Sequence, residues 1–528
     1  MSSAAVASIA SLAALGAAML AGQAQAATSC DDLAKVKIPG ATITAVKAVP
    51  VGGLQEIEVF GIPPLPSAAA YCRINATLAP TASSSIKVEV WLPAEASWNG
   101  KFMATGNGGY GGTLGGPRLA MRPAVKAGYA TAGTDMGHTE DGAGGDANWA
   151  LNQPEKIVDW GHRANHETAV FAKALIAAHY GKAPKRAYFS GCSDGGREAL
   201  MEAQRYPGDF DGIVAGAPAA PWTRLMGSFA WSWKAVHERP ESRLTETSLA
   251  IVQKAVLAQC DKLDGVADGV IEDPRQCGFD PAVVQCKDGK TGDCLTPPQV
   301  DGLRKLYQGP RGAGGKAIFP GYPAGGEAVP NAWPLWISGE KAQHPSFARS
   351  FFANFVYSDT GWQLAQLNLD RDLKAARRLA PTVASDNPDL SAFKAKGGKL
   401  ILYHGWADAA ITPYSTIQYY DAVRARMGVK SADGFSRLFM VPGMSHCFGG
   451  PGPDTFDMLA TLDGWVEGGA APDVVIAAKT DNDYAGLLGF PAKTLKTRPL
   501  CAYPQTAQWD GKGSTDQAAS FSCRKPAS

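Results

Sequence analysis

Gly191-Cys192-Ser193-Asp194-Gly195 lies between a short apolar run, Ala187-Tyr188-Phe189-Ser190, and a stretch that opens like a helix, Gly196-Arg197-Glu198-Ala199-Leu200-Met201. Strand, G-x-S-x-G and helix in that order make a nucleophile elbow, in which the flanking glycines let the chain turn tightly enough to project the serine hydroxyl from the sheet's edge. A bare G-x-S-x-G also occurs as an ordinary glycine-rich turn, but the strand before it and the helix after it favour the nucleophile. Ser193 is therefore the candidate nucleophile of an acyl-transfer site, and the fold it requires is α/β.

Outward from that stretch, apolar runs alternate with helical patterns. Runs at 86–92, 101–104, 129–132 and 187–190 read as strands, 165–179 reads as a helix with Val170, Leu175 and Ile176 among its apolar positions, and the strand rhythm returns at 400–404 and 437–441. Such alternation predicts a largely parallel sheet covered by helices. Between about 220 and 386 the rhythm breaks, and Trp222, Trp231, Trp233, Trp333, Trp336 and Trp362 fall among Gly- and Pro-rich turns and a cysteine-rich loop section. The expected organisation is a core in two parts, 27–219 and 387–528, interrupted by a lid, 220–386. That lid is placed to supply pocket walls from Phe347, Phe351, Phe352 and Trp362.

An α/β-hydrolase places its acid, and then its histidine, downstream of the serine. Asp408, just past the run ending at His404-Gly405, is the candidate acid. His446, in Pro442-Gly443-Met444-Ser445-His446-Cys447 directly after the last clear strand, is the candidate base. The histidine would take the serine proton and return it to the leaving alcohol, while the aspartate holds the tautomer and stabilises the imidazolium. The bland reading of Asp408 is a solvated turn. The expected oxyanion donors are the backbone N–H of Asp194 and that of Gly108 or Gly109 in Gly106-Asn107-Gly108-Gly109-Tyr110-Gly111. The same loop satisfies G-x-G-x-x-G, but 112–117 does not read as a helix start, so a dinucleotide's pyrophosphate would lack its helix N-terminus.

Ten cysteines with no C-x-x-C pair fit an oxidising compartment. Cys192 and Cys447 adjoin Ser193 and His446, so bringing serine and histidine within hydrogen-bond reach also brings the cysteines to disulfide distance, about 5.5 Å between Cα atoms. The order of the rest suggests local pairs: Cys30 with Cys72, Cys260 with Cys277, Cys286 with Cys294, Cys501 with Cys523. Order does not prove connectivity, and buried free thiols are the alternative. Residues 1–26 are small and apolar and end in Ala24-Gln25-Ala26, which predicts a secretory signal peptide despite an n-region without Lys or Arg. No later stretch approaches the ~18 uninterrupted apolar residues of a membrane span. The expected location is the periplasm or the outside of the cell. A net charge of +1 lacks the basic footprint of a nucleic-acid binder and any polybasic membrane segment, which leaves a small or neutral molecule as the expected partner.

The stretch Asp261-Lys262-Leu263-Asp264-Gly265-Val266-Ala267-Asp268-Gly269-Val270 gathers three carboxylates among glycines that permit sharp turning. Such hard oxygen donors suit Ca²⁺, completed by backbone carbonyls such as those of Val266 and Val270, although the terminal Glu of an EF-hand is missing. A solvated acidic turn is the alternative; Cys260 and Cys277 on either side favour a structural clip over a catalytic metal. His162 and His166 stand four apart on the expected helix, but H-R-A-N-H lacks the Glu of a metalloprotease motif, so packing or a capping bond is favoured over zinc.

Together, Gly191 to Glu198, His404-Gly405-Trp406-Ala407-Asp408, Pro442 to Cys447 and the aspartate-rich loop resemble the tannase and feruloyl esterase family over nearly the whole chain beyond the signal segment. The resemblance implies an α/β-hydrolase core with a large inserted lid and a triad of Ser193, Asp408 and His446. It also implies a Cys192 to Cys447 bridge and a structural Ca²⁺ on Asp261, Asp264, Asp268 and the carbonyls of Val266 and Val270. It further implies a serine carboxylesterase acting on small-molecule esters of aromatic acids, hydroxycinnamic or hydroxybenzoic, with mono(2-hydroxyethyl) terephthalate as an alternative substrate. For that half-ester the lid stretch Gly339-Glu340-Lys341-Ala342-Gln343-His344 offers only Lys341 or His344 to meet the carboxylate, without a guanidinium's planar fork. From another class, the alternative is a non-catalytic, calcium-stabilised binding protein on a hydrolase scaffold.

Overall fold

The computed structural model describes residues 28–55, 62–139, 145–287, 292–483 and 490–526; the expected signal peptide, 1–26, lies outside them. Along the chain the strands are β1 (Ala41–Val49), β2 (Leu54–Gln55), β3 (Leu65–Pro66), β4 (Tyr71–Leu78), β5 (Ile86–Pro93), β6 (Lys101–Thr105), β7 (Ala130–Thr134) and β8 (Arg186–Cys192). They continue with β9 (Gly212–Gly216), β10 (Lys399–Gly405), β11 (Ser436–Val441), β12 (Val474–Thr480), β13 (Thr494–Cys501), β14 (Thr506–Trp509) and β15 (Phe521–Arg524). Nine of them form one sheet in the order β1-β4-β5-β7-β6-β8-β9-β10-β11. From β7 to β11 neighbouring strands run parallel, whereas β1, β4 and β5 add an antiparallel edge. All residues of β6, β7 and β9 are buried, since helices cover both faces of a parallel sheet, and this is why such strands carry little period-2 alternation.

The helix Ala164–Tyr180 buries Leu175 and Ile176 completely, but Val170 is 48% exposed. Its stripe runs through Thr168, Ala169, Phe171 and Ala172 instead, which leaves position 170 on the outer face.

Between β9 and β10, residues 217–398 contribute no strand to the main sheet among the described residues. The middle of this insertion has its own apolar core, including Val236, Leu249, Val252, Leu303, Trp333 and Ile337, and that core reaches Ala409 beside the candidate acid. Its two ends belong to the main core, where Trp222, Phe229, Phe347, Phe351, Phe352, Phe355 and Trp362 pack together. The four aromatics expected to wall a pocket are thus core residues, each at most 5% exposed. Burying such large rings stabilises the seam between insertion and sheet more than a hinge would require.

All five expected disulfides are present: Cys30–Cys72, Cys192–Cys447, Cys260–Cys277, Cys286–Cys294 and Cys501–Cys523. Among the described residues no helix is long and apolar enough to cross a membrane.

Candidate active site

β8 ends at Cys192 and the helix Asp194–Arg205 begins immediately after Ser193, which sits at φ 67° and ψ −123°. A left-handed φ on a serine costs on the order of 1–3 kcal/mol and persists only where the surroundings enforce it. Here Ser193 N–H donates to Gly216 O at 3.0 Å, and Gly195 N–H donates to Asn107 O at 2.7 Å. Gly191 has no room for a side chain, because a Cβ there would lie 2.4 Å from Gly195 O. One turn on, the fully buried Arg197 pairs with Asp194, lies 4.0 Å over the Trp160 ring, and donates to the carbonyls of Gly161 and Trp160. With its donors saturated, this buried ion pair pins the first turn of the helix.

The three sequence candidates meet. Ser193 Oγ is 2.8 Å from His446 Nε2, and His446 Nδ1 is 2.7 Å from Asp408 Oδ2. An ionised Asp408 only accepts, so Nδ1 carries the imidazole proton and Nε2 is left to accept from the serine hydroxyl. Asp408 also takes the N–H groups of Ala410 and Ile411 on Oδ1, at 2.8 and 2.9 Å, and His404 Nε2 on Oδ2 at 3.1 Å. Burial alone would raise this carboxyl, but the attraction of His446 and the bonds from His404 and His446 outweigh it and hold Asp408 well below the usual carboxylate range. Trp336 from the insertion stands edge-on to His446, with ring centroids 5.2 Å apart.

Beside the serine and histidine, Cys192 and Cys447 are bridged across 255 residues with Cα atoms 6.0 Å apart. In the chain-entropy picture, closing so long a loop removes about 5 kcal/mol from the unfolded state's advantage. The same bond fixes the elbow to the histidine loop.

Beneath the expected oxyanion loop, Asn107 N–H donates to the buried Glu198 carboxyl at 3.2 Å, and Asn165 Nδ2 reaches the same group at 2.9 Å. Burial, reinforced by the neighbouring Asp194 charge, pushes Glu198 well above the usual carboxylate range. Gly108 N–H makes only a 3.3 Å contact to Asn107 Oδ1, and the N–H groups of Gly109 and Asp194 take no partner among the described residues. Of the three expected donors, Gly109 and Asp194 are thus unengaged and Gly108 is weakly engaged. Contrary to the sequence reading, a helix does begin close by, at Gly115–Lys126. The loop is nonetheless unsuited to a dinucleotide, because the N–H and carbonyl of Asn107 are both committed, to Glu198 and to Gly195.

The remaining candidates resolve by their partners. His162 Nδ1 bonds Tyr206 Oη at 2.8 Å, while His166 Nδ1 bonds Asp209 at 2.6 Å and its ring stacks on Tyr206 at 4.1 Å. Both are packing and hydrogen-bonding residues. His344 is completely buried, stacked on Phe229 at 3.8 Å, with Nε2 3.2 Å from Ala410 O. Burial pushes it down to about 3, so it is neutral and holds the insertion against the acid loop rather than meeting an anion. Lys341 is exposed.

In the aspartate-rich loop, Asp261 accepts Gly269 N–H at 3.1 Å and Asp264 accepts Val266 N–H at 3.0 Å. Asp268 pairs with Arg498 and Lys496 of β13, at 2.8 and 3.1 Å. Burial, with the Asp268 charge adding, pushes Asp264 up to about 6. Carboxylates and carbonyls at this spacing are donors of the type a hard cation takes, although among the described residues no three acids converge on one point.

The sequence reading missed His404, Glu198 and Trp336. The first two had a signal: His404 stands four residues before Asp408 across a tight turn, and Glu198 stands one helical turn after Asp194, on the face toward the sheet.

A profile described as "Tannase and feruloyl esterase" matches residues 72–524. An uncharacterised esterase of Xanthomonas campestris pv. campestris is 39% identical, spanning 97% of this chain and 93% of its own. Mono(2-hydroxyethyl) terephthalate hydrolase of Piscinibacter sakaiensis is 35% identical, over 84% of this chain and 82% of its own. Feruloyl esterase B from Aspergillus oryzae, a crystal structure, has a TM-score of 0.85 at 31% identity, covering 95% of this chain and all of that one. A serine elbow, a histidine and a saturated buried acid, on a chain alike over this length, make it a member of the tannase and feruloyl esterase family and a carboxylic ester hydrolase.

Proposed function

We propose that this chain cleaves esters of aromatic carboxylic acids through an acyl-enzyme on Ser193, with His446 as base and Asp408 as its orienting acid. The observation that carries the reading is the unbroken line of bonds from Ser193 Oγ through both ring nitrogens of His446 to Asp408 Oδ2, 2.8 and 2.7 Å long. As Oγ attacks the ester carbonyl its proton passes to His446 Nε2. When the tetrahedral intermediate collapses, the bond to the alcohol breaks and that proton leaves with the alkoxide. Water then repeats the sequence on the acyl-serine, releasing the acid. The N–H groups of Asp194 and of Gly108 or Gly109 would receive the oxyanion, each such donor being worth about 3 kcal/mol in the transition state.

The edge of Trp336 at His446 supports an aromatic acyl group, as do the aromatic acids in the names of two of the relatives. A hydroxycinnamate or hydroxybenzoate is favoured over a terephthalate half-ester, since the two lid side chains expected to meet a second carboxylate are a buried neutral histidine and an exposed lysine. The second reading, a mono(2-hydroxyethyl) terephthalate hydrolase, rests on the relative of that name. Turnover of methyl ferulate, methyl gallate, chlorogenic acid and mono(2-hydroxyethyl) terephthalate separates them. Highest kcat/KM on the terephthalate half-ester would overturn the preference. Equal p-nitrophenyl ester rates for wild type and Ser193→Ala would favour a binding protein.

Asp261, Asp264, Asp268 and the carbonyls of Val266 and Val270 are assigned to a structural Ca²⁺, which would supply the charge that lets crowded carboxylates stay ionised. Five disulfides and residues 1–26 support export to the periplasm or beyond, for which a mature N-terminus at Ala27 is the check.

A further inference from the structure

Asp408 Oδ2 receives two histidines. One is His446. The other, His404, is the last residue but one of β10 and is completely buried. Its Nε2 lies 3.1 Å from Asp408 Oδ2 and 2.9 Å from Ile411 O, while its Nδ1 lies 2.7 Å from Thr416 Oγ1 on the helix Pro413–Met427. Both groups facing Nε2 are acceptors only, so Nε2 must carry the proton. The Thr416 hydroxyl can donate, which suits a bare Nδ1.

We propose that His404 is a positioning residue for ester hydrolysis, a fourth member that acts through Asp408: its Nε2–H, fixed by Thr416, clamps the acid's oxygen and the Ile411 carbonyl of the acid loop together. This rests on the reading of Ser193, His446 and Asp408 as the triad. Its chemical effect is to draw electron density from the oxygen that faces His446 Nδ1, so that the imidazolium is held less tightly and returns its proton more readily to the leaving alcohol. The other titratable groups facing this carboxylate are Tyr322 on the insertion, whose hydroxyl burial raises, and His344, which burial keeps neutral. Neither changes charge between pH 5 and 9, so neither masks a movement of the acid limb.

The test is the pH profile of kcat/KM for His404→Leu and His404→Gln in the full chain, with melting curves run alongside. Losing a hydrogen bond to a charged group typically costs about 10- to 100-fold, and that is the expected fall in kcat for His404→Leu. The acid limb of its profile should move to higher pH, because an unclamped Asp408 holds the imidazolium more firmly. His404→Gln, which keeps an N–H donor, should recover most of the rate and place the limb near that of wild type. A folded His404→Leu with an unmoved limb, or a His404→Gln no better than it, would overturn the proposal. Should both variants fail to fold, ¹⁵N-imidazole spectra of the wild-type protein decide: a protonated Nε2 with a bare Nδ1 is expected, and a bare Nε2 is fatal. Ser193→Ala tests the triad separately, since its rate loss does not depend on His404.

Discussion

Two disulfide-stapled corners of this molecule treat their carboxylates in opposite ways, one fully buried and the other half-buried. At the catalytic corner, Asp408 has four donors aimed at its two oxygens and is held well below the usual carboxylate range. In the loop between Cys260 and Cys277, Asp264 has one backbone donor and a neighbouring negative charge, and rises to about 6. The first network is electrically complete with protein groups alone. The second carries surplus charge, with Arg498 and Lys496 paired directly to Asp268. A carboxylate that must stay ionised in a dry site needs donors already in place, whereas a structural turn can leave part of its charge for a bound cation.

Removing the chemistry from the first corner gives the largest expected effect: Ser193→Ala should lower ester kcat by about 10⁴-fold or more at unchanged melting temperature. Next comes the staple. Replacing Cys192 and Cys447 together by alanine should cost up to about 5 kcal/mol of stability and lower kcat as well, because elbow and histidine loop then drift apart. A double variant that loses stability but keeps full kcat would confine the bridge to a structural role. At the second corner, stripping calcium with a chelator, with removal confirmed by elemental analysis, should lower the melting temperature by on the order of 5 °C. Ester kcat measured below that temperature should change little, and an unmoved melting temperature would remove calcium from the account.

The smallest effect lies at the seam between the corners. His344 is pushed down to about 3 in the folded chain, below its ordinary value of 6.5, so the unfolded chain binds the extra proton in between. Its contribution is full above pH 6.5 and is lost as pH falls toward 3. His344→Phe should therefore flatten the decline of melting temperature between pH 6.5 and 4, and an unchanged slope would relieve His344 of that role.

Much of the catalytic corner was legible because its chemistry fixes local order. An elbow needs glycines that can approach backbone, as Gly191 does against Gly195, and the strand and helix on either side are read from apolar periodicity. The cysteines beside Ser193 and His446 gave a distance constraint across 255 residues that propensity could not. What escaped were contacts set by tertiary packing. β1, β4 and β9 were not singled out, Val170 faces outward, and the aromatics assigned to a pocket wall are core. Trp336, which does face His446, lies on a single π-helical turn, Pro334–Ser338, whose direction no local pattern specifies. His404 and Glu198 were visible as letters but not as donor and acceptor, because their roles depend on burial beside partners the fold brings in, Asp408, Ile411 and Thr416 for the first and Asn107 and Asn165 for the second.

Covalent labelling tests the central claim most directly. An aryl phosphonate should place one adduct on the peptide carrying Ser193, and His446→Ala should abolish it. Labelling at another residue, or unchanged labelling in the His446 variant, would contradict the account.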